Sequence, residues 1–255
     1  MNDQPVKISR REGVQVIVID RPEARNAVNL QVAESIAAAL EELDGETDLR
    51  AGVLTGEGGN FSAGMDLKAF ARGEAPFVEG RGFAGLAQRS SDKPLIAAIE
   101  GNALAGGLEI ALACDLIVAS EEARLGIPET KRGLVAAGGA LIRLPKRIPY
   151  HLAMELALTG EPIPAARAAE VGLVNRLTPA GEALEAAVDL AVAIARGGPL
   201  ALDASKRIVQ GTLDWTEEEG WERQQELAGP VFASEDAQEG ARAFAEKREP
   251  VWRGR

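Results

Sequence analysis

Apolar and polar positions alternate with period two over residues 6–10 and again over 14–20, with the turn pair Glu12-Gly13 between them, so the chain opens as a β-hairpin. The period then changes. Leu30, Ala33, Ile36, Ala37, Leu40 and Leu43 share one helical face over residues 29–43, and Asp44-Gly45 ends that helix. Short apolar runs at 49–54, 94–99 and 116–119 read as buried strands that lead through glycine-bearing loops into helical pattern. Strands alternating with helices predict an α/β architecture with crossover connections and a largely buried sheet.

The pattern shifts after about Leu125, and from Ala140 onward it is nearly all helical. Thr178-Pro179 offers a cap and a first-turn proline for a helix over 183–196, which stops at Gly197-Gly198-Pro199. Thr216 and Glu219 fit a capping box. The last helix carries Glu235 and Asp236 in its first turn and Lys247 and Arg248 in its last, an order that suits the helix dipole. Residues 72–89, rich in glycine and charge, read as a mobile loop followed by a helix, either a surface excursion or a substrate lid.

Composition narrows the chemistry. The 255 residues are 46% hydrophobic but only 4% aromatic, so Ala, Val, Leu and Ile must fill the core. A single cysteine, Cys114, allows no internal disulfide and fits a reducing compartment. With one cysteine and one histidine there is no Cys/His zinc site. His151, within an Ala-, Leu- and Met-rich helical stretch, reads as a packed or surface residue rather than a catalyst. The 39 acidic and 28 basic side chains give a net charge of −11, which argues against nucleic acid and anionic membranes. No apolar run approaches the roughly 20 residues of a membrane span. The start, Met1-Asn2-Asp3-Gln4-Pro5, lacks the regions of a signal peptide, and the expectation is a soluble cytoplasmic protein.

Three segments could carry chemistry. In Thr55-Gly56-Glu57-Gly58-Gly59-Asn60-Phe61-Ser62-Ala63-Gly64-Met65-Asp66-Leu67 a strand ends in glycines and a small-residue turn, and a helix opens near Asp66. Small residues admit a ligand to the main chain, and a helix start leaves N–H groups unpaired. The second segment, Ala105-Gly106-Gly107-Leu108-Glu109, places two glycines in a first helical turn, at about 1 kcal/mol each relative to alanine. Close packing or main-chain contact with a ligand would justify them. Glu109, in an apolar stretch, is either at a helix edge or buried with a raised pKa. The third is Leu125-Gly126-Ile127-Pro128-Glu129, whose glutamate follows Glu109 by twenty residues, past a strand and its return. That spacing can bring both carboxylates to the same end of neighbouring elements, offering one proton donor and one acceptor.

Together these segments resemble the crotonase (enoyl-CoA hydratase/isomerase) superfamily. Phe61-Ser62-Ala63-Gly64-Met65-Asp66-Leu67 is similar to its coenzyme A loop, Ala105-Gly106-Gly107-Leu108-Glu109 to its G-G-x-E segment, and Pro128-Glu129 falls on its second glutamate. Arg21-Pro22-Glu23-Ala24-Arg25-Asn26-Ala27 resembles its early R-P-x-x-x-N-A segment. Residues 128–147 and the ending from Ser234 look closest to a bacterial branch that includes carnitinyl-CoA dehydratase. The resemblance implies a spiral of repeated β-β-α units over residues 1–198 and a helical oligomerisation region over 199–255, forming a homotrimer or a dimer of trimers. The strand–helix alternation by itself also allows a Rossmann-like sheet.

The resemblance further implies hydration of a trans-2-enoyl thioester of coenzyme A to the 3-hydroxyacyl thioester, with no cofactor beyond the coenzyme A of the substrate. The Met65 and Gly106 amides would hold the carbonyl oxygen. Glu109 would take a proton from water attacking C3, and Glu129 would deliver one to C2. Ala24, Arg25, Ser62, Ala63, Asp66 and Leu67 would bind the coenzyme A portion, with Arg25 a candidate phosphate contact. One departure stands out: where the family often has P-G-A-G-G, this chain has Val135-Ala136-Ala137-Gly138-Gly139, which puts Ala136 and Ala137 at the expected pocket floor. Isomerisation or carnitinyl-CoA dehydration on the same scaffold is the near alternative. A non-catalytic acyl-CoA-binding protein is the alternative from another class, and it gives no reason for two glutamates. RNA binding would need a basic face, leaving only a local patch such as residues 143–147.

Overall fold

The computed structural model describes residues 4–255; residues 1–3, where part of the expectation about the chain start falls, lie outside the described residues. The opening hairpin forms where the alternation places it. β1 (Val6–Arg11) pairs antiparallel with β2 (Val14–Ile19), and Glu12 and Gly13 turn the chain at φ +49° and +77°. Asn29 caps α1 (Leu30–Gly45) by accepting from the Val32 N–H, and the face bearing Ile36, Leu40 and Leu43 is buried.

The following chain repeats one plan. β3 (Ala51–Gly56) leads to the extended segment around Ser62 and then α2 (Leu67–Phe70). After a short hairpin of β4 (Phe77–Val78) and β5 (Gly82–Phe83), β6 (Leu95–Ile99) leads to β7 (Asn102–Leu104) and α3 (Gly106–Ala113). β8 (Leu116–Ser120) leads to β9 (Arg124–Gly126), a 3-10 turn at Pro128–Arg132, α4 (Ala140–Arg147) and α5 (Tyr150–Thr159). β10 (Ile163–Pro164), α6 (Ala165–Glu170) and β11 (Arg176–Thr178) close the set, so two short strands interrupt the expected helical run.

The first strands of each unit build a sheet in the order β1-β2-β3-β6-β8-β11, parallel from β2 onward. The second strands form another layer, in which Val28 bridges Met65, Ser62 bridges Ala103, and β7 pairs with β9 and β9 with β10. Strand order follows sequence order throughout. A doubly wound sheet would reverse at a switch point, so the Rossmann alternative is excluded and the chain is a spiral of strand–strand–helix turns.

Both faces of the large sheet are covered, which is why its strands read as unbroken apolar runs. Ile17, Leu54, Ile99 and Ile117 enter the main core, whereas Val16, Val53, Ile96 and Val118 pack on the other face against Ala187, Val188 and Ala191 of α7 (Ala183–Ala195). Three further helices complete the chain: α8 (Pro199–Gly211), α9 (Glu217–Phe232) and α10 (Glu235–Glu246). α8 is tied to the spiral by the Lys206 ammonium, which bonds Asp115 at 2.7 Å and the Ser91 and Lys93 carbonyls at 2.7 and 2.8 Å. The predicted capping box at Thr216 and Glu219 forms. Among the described residues no helix is long and apolar enough to cross a membrane.

Three local expectations are corrected. No helix follows the loop within residues 72–89. Phe77 pairs with Phe83 across the β4–β5 hairpin, Arg81, Phe83 and Leu86 are buried, and a Cβ on Gly85 would stand 2.3 Å from the Ala33 carbonyl oxygen. The glycines there allow close packing on α1. Thr178 ends β11 instead of capping α7, whose N-cap is Glu182. Lys247 turns out of α10 at φ +54°, so the two basic residues lie just beyond the last helical turn.

Candidate active site

The loop after β3 is built around buried Asn26. Its side-chain amide donates to the Glu57 and Asn60 carbonyls at 2.8 and 2.7 Å, and its oxygen accepts from the Arg21 N–H at 2.9 Å. Asn26 itself sits at φ +55°, a conformation that asparagine tolerates better than most residues. Ser62 is fully buried; its hydroxyl donates to the Asn26 carbonyl and accepts from the Gly64 N–H. Asp66 caps α2 through the Lys68 and Ala69 N–H groups and pairs with Arg21 at 3.1 Å. These bonds fix the chain on both sides of Met65.

The next turn of the spiral lies directly against this loop. A Cβ on Gly64 (φ +89°) would come within 2.6 Å of the Gly106 nitrogen, and one on Gly107 within 2.1 Å of the Ser62 carbonyl oxygen. That explains the two glycines in the first turn of α3: backbone packs on backbone with no room for a side chain. Ala105 adopts φ +54° and ψ −128°, a strained geometry for a residue with a Cβ, immediately before Gly106. Among the described residues nothing accepts a hydrogen bond from the Met65 or Gly106 N–H, and both residues line the same cavity. The site thus presents two adjacent main-chain donors, one from each of two successive turns.

Both glutamates line that cavity, whose volume is about 420 Å³. Glu109 lies on the first turn of α3 and is 4% exposed. Its Oε1 accepts the Ala140 N–H at 3.1 Å. Burial raises its pKa, while the amides of Gly138 to Ala140 and the Arg143 charge act to hold it down. Glu129 stands in the 3-10 turn after β9, and its buried Oε2 has no hydrogen-bond partner among the described residues. Burial, with the nearby Glu109 charge adding to it, pushes its pKa up to about 7. Two carboxyls therefore share one cavity in unlike surroundings: burial raises both, but amides and a guanidinium oppose it at Glu109, whereas Glu129 lacks such donors and is the one favoured as a neutral acid.

Of the residues singled out from the sequence, Arg25, Ala63, Met65, Leu67, Gly106, Glu109 and Glu129 meet at the cavity, whereas Ala24, Ser62 and Asp66 do not line it. Val135, Ala137 and Gly138 form part of its wall; Ala136 is buried outside it. Phe77 and Phe83 also line the cavity, in edge-to-face contact with ring centres 5.8 Å apart. They were invisible in the sequence because a two-residue strand pairing leaves no periodicity to read. His151 is exposed on α5, and Cys114 is buried with its thiol pKa pushed up by burial.

Comparison with known proteins gives one consistent result. The family model described as enoyl-CoA hydratase/isomerase matches residues 9–255. Enoyl-CoA hydratase EchA19 of Mycobacterium tuberculosis is 42% identical over 97% of this chain and 96% of its own length. A carnitinyl-CoA dehydratase of Salmonella typhimurium is 41% identical over 99% of both chains. The crystal structure of enoyl-CoA hydratase EchA1 from Mycobacterium marinum superposes with a TM-score of 0.97 at 53% identity, covering 99% of this chain and all of that one.

Proposed function

Because the chain belongs to the enoyl-CoA hydratase/isomerase family, we propose that it is a hydro-lyase that adds water across the double bond of trans-2-enoyl-CoA to give 3-hydroxyacyl-CoA. The observation that carries this reading is the pair of unlike carboxyls beside two unpartnered amides in one cavity. The thioester oxygen accepts from the Met65 and Gly106 N–H groups, so the enolate charge that develops on it is held by donors already in place. Such a donor contributes about 3 kcal/mol to lowering a barrier. Water lies between the two acids. Ionised Glu109 removes its proton as the oxygen bonds to C3, and neutral Glu129 gives its proton to C2; one proton leaves and one arrives, so the reaction balances without a cofactor.

Arg25, exposed at the cavity, meets the nucleotide phosphates, and exposed Leu67 and Phe70 border the pantetheine. Ala24, Ser62 and Asp66 serve by shaping the loop. The helical region 199–255 assembles the chain into trimers, singly or in pairs, through a face bearing Trp221, Phe232 and Phe244, which are 62%, 82% and 88% exposed. The enzyme works in the cytoplasm.

Loss of enoyl-thioester absorbance with crotonyl-CoA, with the product identified, tests the reading. The 3-hydroxy thioester is expected, and Glu109→Gln or Glu129→Gln should each slow its formation about a hundred-fold or more while the fold survives. A shifted double bond as the only product, or near-normal turnover in either variant, rejects the paired-acid mechanism.

A further inference from the structure

A second cavity, of about 620 Å³, lies behind the first and shares Phe77, Phe83, Ala137 and Gly138 with it as a common wall. Gly138 in that wall lies directly against Glu109 of the catalytic pair: a Cβ there would stand 2.5 Å from Glu109 Oε2 and 3.2 Å from the Phe83 ring. Four cations line the second cavity. Lys146 pairs with Asp214, and Arg89 stands 3.9 Å from Asp92. Arg143 and Arg147 have no carboxylate within ion-pair distance among the described residues. Each uses its guanidinium on a carbonyl, Arg143 on Ala87 at 2.5 Å and Arg147 on Leu112 at 2.6 Å, which leaves most of the five N–H donors free.

The two arginines are four residues apart on α4, where like charges repel. Burial and, for Arg147, the neighbouring Arg143 charge disfavour the cationic forms, while Glu109 acts the other way on Arg143 and Asp115 on Arg147. On a chain of net charge −11, two guanidiniums without an ion-pair partner, one half-buried and one exposed, facing the same cavity favour an anion there. We infer that this second cavity receives the far end of the acyl chain and that Arg143 and Arg147 bind a terminal carboxylate there, so the substrates are coenzyme A monothioesters of unsaturated dicarboxylic acids. The inference rests on the hydratase reading and adds its substrate class. The same two charges oppose a chain that ends in a quaternary ammonium.

Binding and turnover separate the two claims. Calorimetry with saturated thioesters, adipoyl-CoA against hexanoyl-CoA and longer pairs of equal length, reads the second cavity without any reaction. At one or more chain lengths the dicarboxylic member should bind at least ten-fold tighter, with an advantage that shrinks in high salt. Arg147→Gln should remove most of that ratio, and Arg143→Gln should do the same while also altering Glu109. Equal or weaker binding of the charged member at every length overturns the inference, as does a ratio that survives both substitutions or a preference for carnitinyl-CoA over the dicarboxylic thioesters. Failure to hydrate both the neutral and the dicarboxylic enoyl-CoAs counts against the hydratase reading alone, since the binding ratio stands apart from it.

Discussion

At the scale of single residues, the two glutamates differ in what surrounds them more than in where they sit. Glu109 faces three backbone amides and a guanidinium, and Glu129 keeps a buried oxygen without a partner. Proton delivery to C2 needs the neutral form of Glu129, so hydration should decline as pH rises through about 7, visible in a pH–rate profile with crotonyl-CoA. The sign for stability follows from the same shift. The folded chain keeps a proton that the unfolded chain loses above its ordinary value near 4.5, so stability drains as pH climbs between 4.5 and about 7. Glu129→Gln should therefore stabilise the fold by on the order of 1 kcal/mol at pH 8, after allowance for partial solvent screening, and by nothing at pH 4. Thermal melts at the two pH values measure the difference.

At the scale of elements, the site depends on loops held by side chains rather than on regular structure. Asn26→Ala removes three bonds that join the loops after β2 and β3 and leaves two carbonyls and an N–H unanswered. The expected loss is about 3 kcal/mol, read as a lower urea midpoint. The sequence carried the strands, the long helices and both glutamates, because burial on two faces and helical spacing leave marks in composition. The glycines of α3 announced a close approach and the structure supplied its partner, the loop at Ser62 and Gly64. The β4–β5 hairpin left no such mark: its strands are two residues long, and its burial comes from α1, far away in sequence. The local hydrogen bonds of Ser62 and Asp66 were hidden for another reason. A hydroxyl or carboxylate in a loop looks the same on paper whether it faces a ligand or its own backbone.

At the scale of the whole molecule, the feature without an internal explanation is the exposure of Trp221, Phe232 and Phe244 on the C-terminal helices, where α9 has no buried residue. On the assembly proposed above, replacing Phe232 and Phe244 with glutamate should leave single chains of 26.8 kDa where the native chain sediments as a larger species. The spiral itself carries a last consequence. The Met65 and Gly106 amides belong to different coils of the chain and are joined only through the lie of one coil upon the next. Their separation is a gauge of that stacking, so a slackening too slight to melt any strand is enough to pull the pair apart, and the chemistry fails while the architecture still stands.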